Sequence, residues 1–287
     1  MKRRDFLATT AIGATVAGSR GLPSTVNRQP STVAGRLKQS VCRWPYGSIP
    51  LPEFCRAAKG IGLDAIDLLQ QSEWPVARDA GLVCSLGYPS PRRDFNTWGF
   101  NDPAHHPVLL RELEETIPAA AASGVPNVIA MFGNRGALSD AAAIDACVQG
   151  LNRIKALGEE HRVTICLEML NTRVDHQGYQ ADHTAFGLAV ARAVDSPRVR
   201  LLFDIYHMQI MEGDIIHTIR DNAPWIAHFH TGGVPGRHEL DNTQELNYNA
   251  IARAIADTGY GGYVAHEFIP THDPLTSLRE AVTVCTV

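Results

Sequence analysis

The sequence predicts a single (β/α)8 barrel of the α/β class, and three observations carry that prediction. From Ser40 onward, eight β-rich runs alternate with eight helical patterns. Alternation of this kind builds a parallel sheet with helices packed outside it. Setting aside about 35 compositionally distinct N-terminal residues leaves close to the ~250 of one such barrel. Glycines stand after helical stretches at Gly60 and Gly62, Gly81, Gly124 and Gly259, where left-handed caps are expected.

Taken in order, strands are expected at Ser40–Trp44, Asp64–Leu68, Leu82–Gly87, Asn127–Phe132, Val163–Glu168, Val199–Asp204, Ile226–His230 and Gly262–Glu267. Most are short apolar runs, as strands buried on both faces require. Helices are expected near 51–60, 73–80, 105–123, 139–160, 182–194, 213–222 and 246–258, with a last one near 274–284. Asp140 and Asp182 stand where an N-cap or first-turn acid belongs. The connection from Tyr88 to His106 is long and holds Trp98, Phe100, His105 and His106. Long loops on the functional rim of a barrel often form a lid or a substrate wall. Trp98 is therefore a candidate for stacking on a sugar-like ligand, with Trp44 and Tyr46 closing the first strand nearby.

The N-terminal residues have a different character. Lys2, Arg3 and Arg4 precede Asp5-Phe6-Leu7 and a small-residue, weakly apolar stretch reaching about Gly18. That is the layout of an export signal, and the paired arginines resemble a twin-arginine signal. Gly21 to Gly35 reads as a polar linker. The expected division is residues 1–35 as signal and linker and 36–287 as barrel, with a periplasmic or exported address.

Composition narrows the classes. The chain of 287 residues is 45% hydrophobic and 20% charged, which excludes a disordered or collagen-like protein. No apolar run reaches the ~18 residues of a membrane span, so no stable membrane insertion is expected. The formal net charge is −4, and loss of the basic N-terminus makes the mature chain more acidic still. A nucleic-acid partner needs a basic face and is not expected. The six cysteines lack zinc-type spacing, and most read as buried free thiols. The four lysines (Lys2, Lys38, Lys59 and Lys155) lie away from strand ends, which disfavours Schiff-base chemistry.

Barrel active sites sit at the C-terminal ends of the strands. The last four strands finish on Glu168, Asp204, His230 and Glu267, whereas the first four end without an obvious ligand set. Three carboxylates converging on one axis repel one another unless a cation joins them. This oxygen-rich set with one imidazole favours Mn²⁺ or Mg²⁺, and Co²⁺ or Zn²⁺ also suit it. Further polar candidates for substrate contact are Asn171, three residues past Glu168, and His183 at a helix start. His228 lies one layer deeper than His230 and reads as a barrel-interior histidine.

Leu167-Glu168-Met169-Leu170-Asn171, Phe203-Asp204-Ile205-Tyr206-His207-Met208-Gln209 and His228-Phe229-His230 resemble segments of the xylose isomerase-like TIM barrels, hydroxypyruvate isomerase-like members above all. So do Pro235-Gly236-Arg237-His238-Glu239 and His266-Glu267-Phe268. The resemblance runs from about Ser40 to the C-terminus. It implies Glu168 and Glu267 as metal ligands that also shuttle a proton, with Asp204 and His230 completing the coordination. It also implies His207 and Arg237 as contacts to substrate oxygens. Hydroxypyruvate isomerases tend to carry Gln where this chain has His230, a feature shared with ketose 3-epimerases, so the substrate stays open.

The expected activity is proton transfer through a metal-stabilised enediolate, an isomerase or epimerase reaction on a small hydroxy-carbonyl compound or keto-sugar. Absence of a glycine cradle after the last strand favours an unphosphorylated substrate, although Gly232-Gly233 stands after the seventh. Alternatives are a dehydratase on the same metal site, an AP endonuclease-like enzyme and a non-catalytic sugar-binding barrel. The resemblance is also compatible with a homo-oligomer.

Overall fold

The computed structural model describes residues 35–287 except 90 and 92–94, and the expected export signal lies outside the described residues. Residues Gly35–Val287 form one compact unit. Its strands are β1 (Lys38–Cys42), β2 (Ala65–Asp67), β3 (Val83–Cys84), β4 (Asn127–Met131), β5 (Thr164–Glu168), β6 (Val199–Asp204), β7 (Ile226–Thr231) and β8 (Tyr263–His266). They pair in parallel in the order β3-β2-β1-β8-β7-β6-β5-β4. The outer edges meet through Gly87, which bridges to both Leu69 and Val128. Its N–H donates to Asn127 O at 2.9 Å, and its carbonyl accepts from Ile129 N at 3.1 Å. A side chain at Gly87 would come within 2.7 Å of the Trp74 ring. The eight-unit barrel expected from the sequence is the observed architecture.

Helices form the outer layer: α1 (Leu51–Ile61), α2 (Trp74–Asp79), α3 (His106–Ser123), α4 (Asp140–Asn152), α5 (Lys155–His161), α6 (Thr184–Val194), α7 (Ile205–Met211), α8 (Ile215–Asn222), α9 (Tyr248–Asp257) and α10 (Pro274–Cys285). No helix among the described residues is long and apolar enough to cross a membrane. All six cysteines are free and buried.

Four departures from the sequence reading have a local reason. β1 stops at Cys42 because Trp44–Tyr46 is a short 3-10 helix, and Pro45 has no N–H for a ladder. β3 is only two residues long, with Gly87 held by an isolated bridge. The single helix expected over 139–160 is two, because Arg153 and Ile154 bond back three residues to Gly150 and Leu151. Finally, α7 starts directly after β6, capped by the side chain of Asp204.

Candidate metal and proton-transfer site

Strand register brings the predicted ligands together. Asp204 and His230 are direct partners on β6 and β7. Glu168 closes β5, and Glu267 follows β8 with its N–H bonded to Thr231 O at 2.9 Å. One donor atom from each of Glu168, Asp204, His230 and Glu267 lies within 4.8 Å of the others, and all four residues are buried. Every candidate ligand group among the described residues includes His230, so these groups overlap in one centre.

The two glutamates are held differently. Glu267 accepts a hydrogen bond from Trp44 Nε1 at 2.6 Å and one from Arg237 Nη2 at 2.6 Å. Burial opposes its charge, but Arg237 and His230 outweigh that and hold its carboxyl well below the usual range. The Glu168 carboxylate has one ion-pair contact among the described residues, His230 Nδ1 at 3.6 Å. Asp204 Oδ1 accepts from the N–H groups of Tyr206 and His207, and its Oδ2 accepts from Arg237 Nη2 at 3.0 Å. Burial, reinforced by Glu267 and Glu168, pushes Asp204 up to about 7 against the pull of Arg237.

These side chains fit a divalent cation on an observation internal to the site. His230 Nδ1 is buried without a hydrogen bond, although Glu267 Oε2 lies 2.6 Å away and out of line for one. Lone-pair atoms that close are reconciled by a shared electrophile. The other ring nitrogen, Nε2, is 2.8 Å from Asp67 Oδ2. The same oxygen is 2.9 Å from His228 Nε2, and Oδ1 accepts from the Ser85 hydroxyl at 2.8 Å. Asp67 is fully buried at the end of β2. The sequence reading passed over it, although an acid closing the Ala65-Ile66-Asp67 run was the available signal.

A cavity of about 300 Å³ opens beside Glu168 and Glu267. Glu168, Glu267, His207, Arg237 and His176 are in its polar lining, and Trp44, Leu68, Tyr88, Phe95 and Ile129 in its apolar and aromatic lining. The Arg237 guanidinium lies 5.5 Å from the Trp44 ring centroid and 5.2 Å from that of Tyr206. Leu68 and Arg237 both hold left-handed backbone, with φ of 55° and 58°, a strained conformation that clusters at functional sites.

His207 is set by Asn171. The Asn171 backbone N–H donates to His207 Nδ1 at 3.2 Å, with Asn171 Nδ2 at 2.7 Å from the same atom. Nδ1 therefore accepts, and the ring proton sits on Nε2. Nε2 is buried without a hydrogen bond, 3.5 Å from Asp204 Oδ2. Burial, helped by Arg237, holds His207 well below 6.5, so the ring is neutral. The remaining capacity of Asn171 is occupied by Asp175 and by the N–H groups of Val174 and Asp175. It is placed to orient His207 instead of touching substrate.

Two other sequence candidates stand apart from the cavity lining. His183 is half-exposed and pairs with Asp182 at 2.7 Å. Trp98 stacks on His105 at 4.4 Å and borders a separate small recess. The aromatic wall is made by Trp44, Tyr88 and Phe95 instead. His176, which the sequence reading missed, lines the cavity with its ring 5.4 Å from that of His207. Its position in the loop after β5 was the only signal.

A family model described as xylose isomerase-like TIM barrel matches residues 52–285. The chain belongs to that family. A human protein assigned by name as a hydroxypyruvate isomerase is 29% identical over 246 residues, 79% of this chain and 87% of that one. A 2-oxo-tetronate isomerase of Cupriavidus necator is 36% identical over 108 residues, 38% of this chain and 41% of that one. Among solved structures, one titled AP endonuclease, family 2, from Brucella melitensis has a TM-score of 0.77 at 22% identity. It covers 86% of this chain and 99% of its own. A D-psicose 3-epimerase from Clostridium cellulolyticum has a TM-score of 0.69 at 18% identity, covering 88% and 100%. Both structures speak to the fold.

Proposed function

We propose that this chain is a divalent-metal-dependent isomerase of short, unphosphorylated hydroxy-keto compounds, 2-oxo acids such as hydroxypyruvate foremost. The observation that carries the reading is the tetrad Glu168, Asp204, His230 and Glu267 gathered around the unpartnered Nδ1 of His230, on the floor of a small cavity. Relatives named as hydroxypyruvate and 2-oxo-tetronate isomerases support the substrate class. Epimerisation of a keto-sugar is the second reading, favoured by His230 and by the fold of the psicose epimerase.

When bound, Mn²⁺ or Mg²⁺ polarises the carbonyl and stabilises enediolate charge. Glu168, which has no clamp, takes the carbon-bound proton and returns it to the neighbouring carbon. Glu267 is fixed by Trp44 and Arg237 and orients the reacting end. Neutral His207 donates Nε2–H to a substrate oxygen without surrendering its proton. Arg237 anchors a hydroxyl or carboxylate. The Gly232 and Gly233 amides already donate to Tyr248 Oη and His238 O, each at 2.9 Å. That occupancy favours an unphosphorylated substrate.

The test is Mn²⁺-loaded enzyme with hydroxypyruvate and 2-oxo-tetronate in D₂O. Solvent deuterium at substrate carbon, lost in Glu168→Gln, is expected. Bound metal without exchange on any hydroxy-ketone offered would overturn the reading. The Arg3-Arg4 signal supports export of the folded enzyme, and Arg3→Lys with Arg4→Lys is expected to retain it in the cytoplasm, as fractionation would report.

A further inference from the structure

Asp67 lies across the barrel from the histidines it meets, with β8 and β1 between β7 and β2 in the sheet. One of its oxygens, Oδ2, is shared by His228 Nε2 at 2.9 Å and His230 Nε2 at 2.8 Å. The Ser85 hydroxyl holds Oδ1 at 2.8 Å, and Ser40 Oγ stands 2.7 Å behind it. The Cys42 thiol approaches Oδ2 at 3.6 Å. A carboxylate with no solvent exposure is costly unless paired and hydrogen-bonded. Both oxygens here are occupied, so Asp67 is not itself a free ligand.

We propose that Asp67 is a positioning residue for the metal centre, acting through His230. The inference rests on the metal-site reading above. As an acceptor facing Nε2, the carboxylate keeps the imidazole proton on that nitrogen. Nδ1, the nitrogen that faces Glu168 and Glu267, is left with its lone pair. The ring plane is fixed at the same time, because His228 on β7 and Ser85, just after β3, also hold the carboxylate. A negatively charged partner also makes the imidazole a stronger donor to a cation. The first half of the barrel therefore reaches the metal from one layer behind.

The experiment measures Mn²⁺ affinity of the full-length protein by calorimetry, and the visible spectrum of its Co²⁺ form. Wild type, Asp67→Asn and Ser85→Ala are compared, together with the unfolding midpoint of each metal-free protein. Asp67→Asn is expected to weaken Mn²⁺ about 10–100-fold and to shift the Co²⁺ bands. Ser85→Ala only loosens the carboxylate, so a smaller loss in the same direction is expected. It carries the test if Asp67→Asn does not fold. Affinity within two-fold of wild type in the folded variants, with an unchanged Co²⁺ spectrum, overturns the proposal alone. A weaker affinity that merely tracks lost stability, again with unchanged bands, also overturns it by reducing Asp67 to a structural role. A wild-type protein that binds no Mn²⁺ removes the metal-site reading and this inference with it.

Discussion

The two halves of the barrel rim divide the labour. Strands β5–β8 deliver Glu168, Asp204, His230 and Glu267 from ladder positions or the residue just after them. The segments after β1–β3 deliver Trp44, Leu68, Tyr88 and Phe95, and β4 delivers Ile129, a mainly apolar set lining the same cavity. Ladder pairing holds the first set, with Asp204 directly opposite His230, whereas the second set, apart from Ile129 in β4, depends on loop conformation. Chemistry is thus built where the backbone is most constrained, and shape where it is least. The strongest way to break this contrast is to remove a carboxylate. Glu168→Gln is expected to lower proton exchange about 10²–10⁴-fold while Mn²⁺ still binds. Glu267→Gln should cost as much and weaken Mn²⁺ more than Glu168→Gln does, since it also leaves Arg237 beside the cation without one of its two carboxylate partners. Equal metal affinity in the two variants, measured by calorimetry, would erase the distinction between a clamped and an unclamped glutamate.

The ligand half should also dominate the pH response. Burial raises Asp204 to about 7 in the metal-free fold, above the ~3.9 of an exposed carboxylate. A group raised on folding favours the folded state below its unfolded value, and that contribution is lost as pH climbs through the folded value. Metal-free protein should therefore lose stability between about pH 4 and 7, and Mn²⁺ should cancel the loss. Because the cation displaces the Asp204 proton, Mn²⁺ affinity should rise by up to about tenfold per pH unit in that window and level off above it. Calorimetry across the window checks both slopes; a flat affinity would show that Asp204 is already ionised.

The same contrast explains what was legible in the sequence. Glu168, Asp204, His230 and Glu267 each close an apolar run, so strand periodicity alone placed them at equivalent heights. Asp67 closes a run too, but it stands alone in its half of the chain, and its partners His228 and His230 are about 160 residues away. Pairing across a barrel interior leaves no spacing to read. Asn171 was legible as polar and near the site, yet only the fold reveals that its side chain faces His207 and Asp175. Trp98 sits in the expected loop, but Phe95 takes the wall position, a choice made by local turns instead of residue type. The edge glycine, Gly87, has the sequence signature of a strand end, because a lone bridge and a ladder look alike in sequence.

The wall half should govern selectivity with little effect on chemistry. Leu68 lines the cavity with φ of 55°, a conformation glycine adopts without strain. Leu68→Gly therefore removes the side chain while suiting the backbone. Its kcat/KM for hydroxypyruvate should fall about 10-fold, chiefly through KM, and longer keto-sugars should gain relative to it. A drop confined to kcat would instead tie Leu68 to the ligand half, through the neighbouring Asp67.

The smallest effect is expected at His183, and it tests how far the ligand half extends. The residue precedes α6 in extended backbone and makes no side-chain cap. Its ring is engaged by Asp182, which in turn accepts from the Thr172 hydroxyl at 2.6 Å. Capping of α6 falls to Glu212, whose carboxylate takes both the N–H and the hydroxyl of Thr184. With half of its side chain exposed and no face on the cavity, His183→Ala should change kcat/KM by less than about two-fold, the usual range for a surface substitution. A fivefold rise in KM would bring the loop after β5 over the substrate. It would then extend the functional half of the rim from the strand ends to the start of α6.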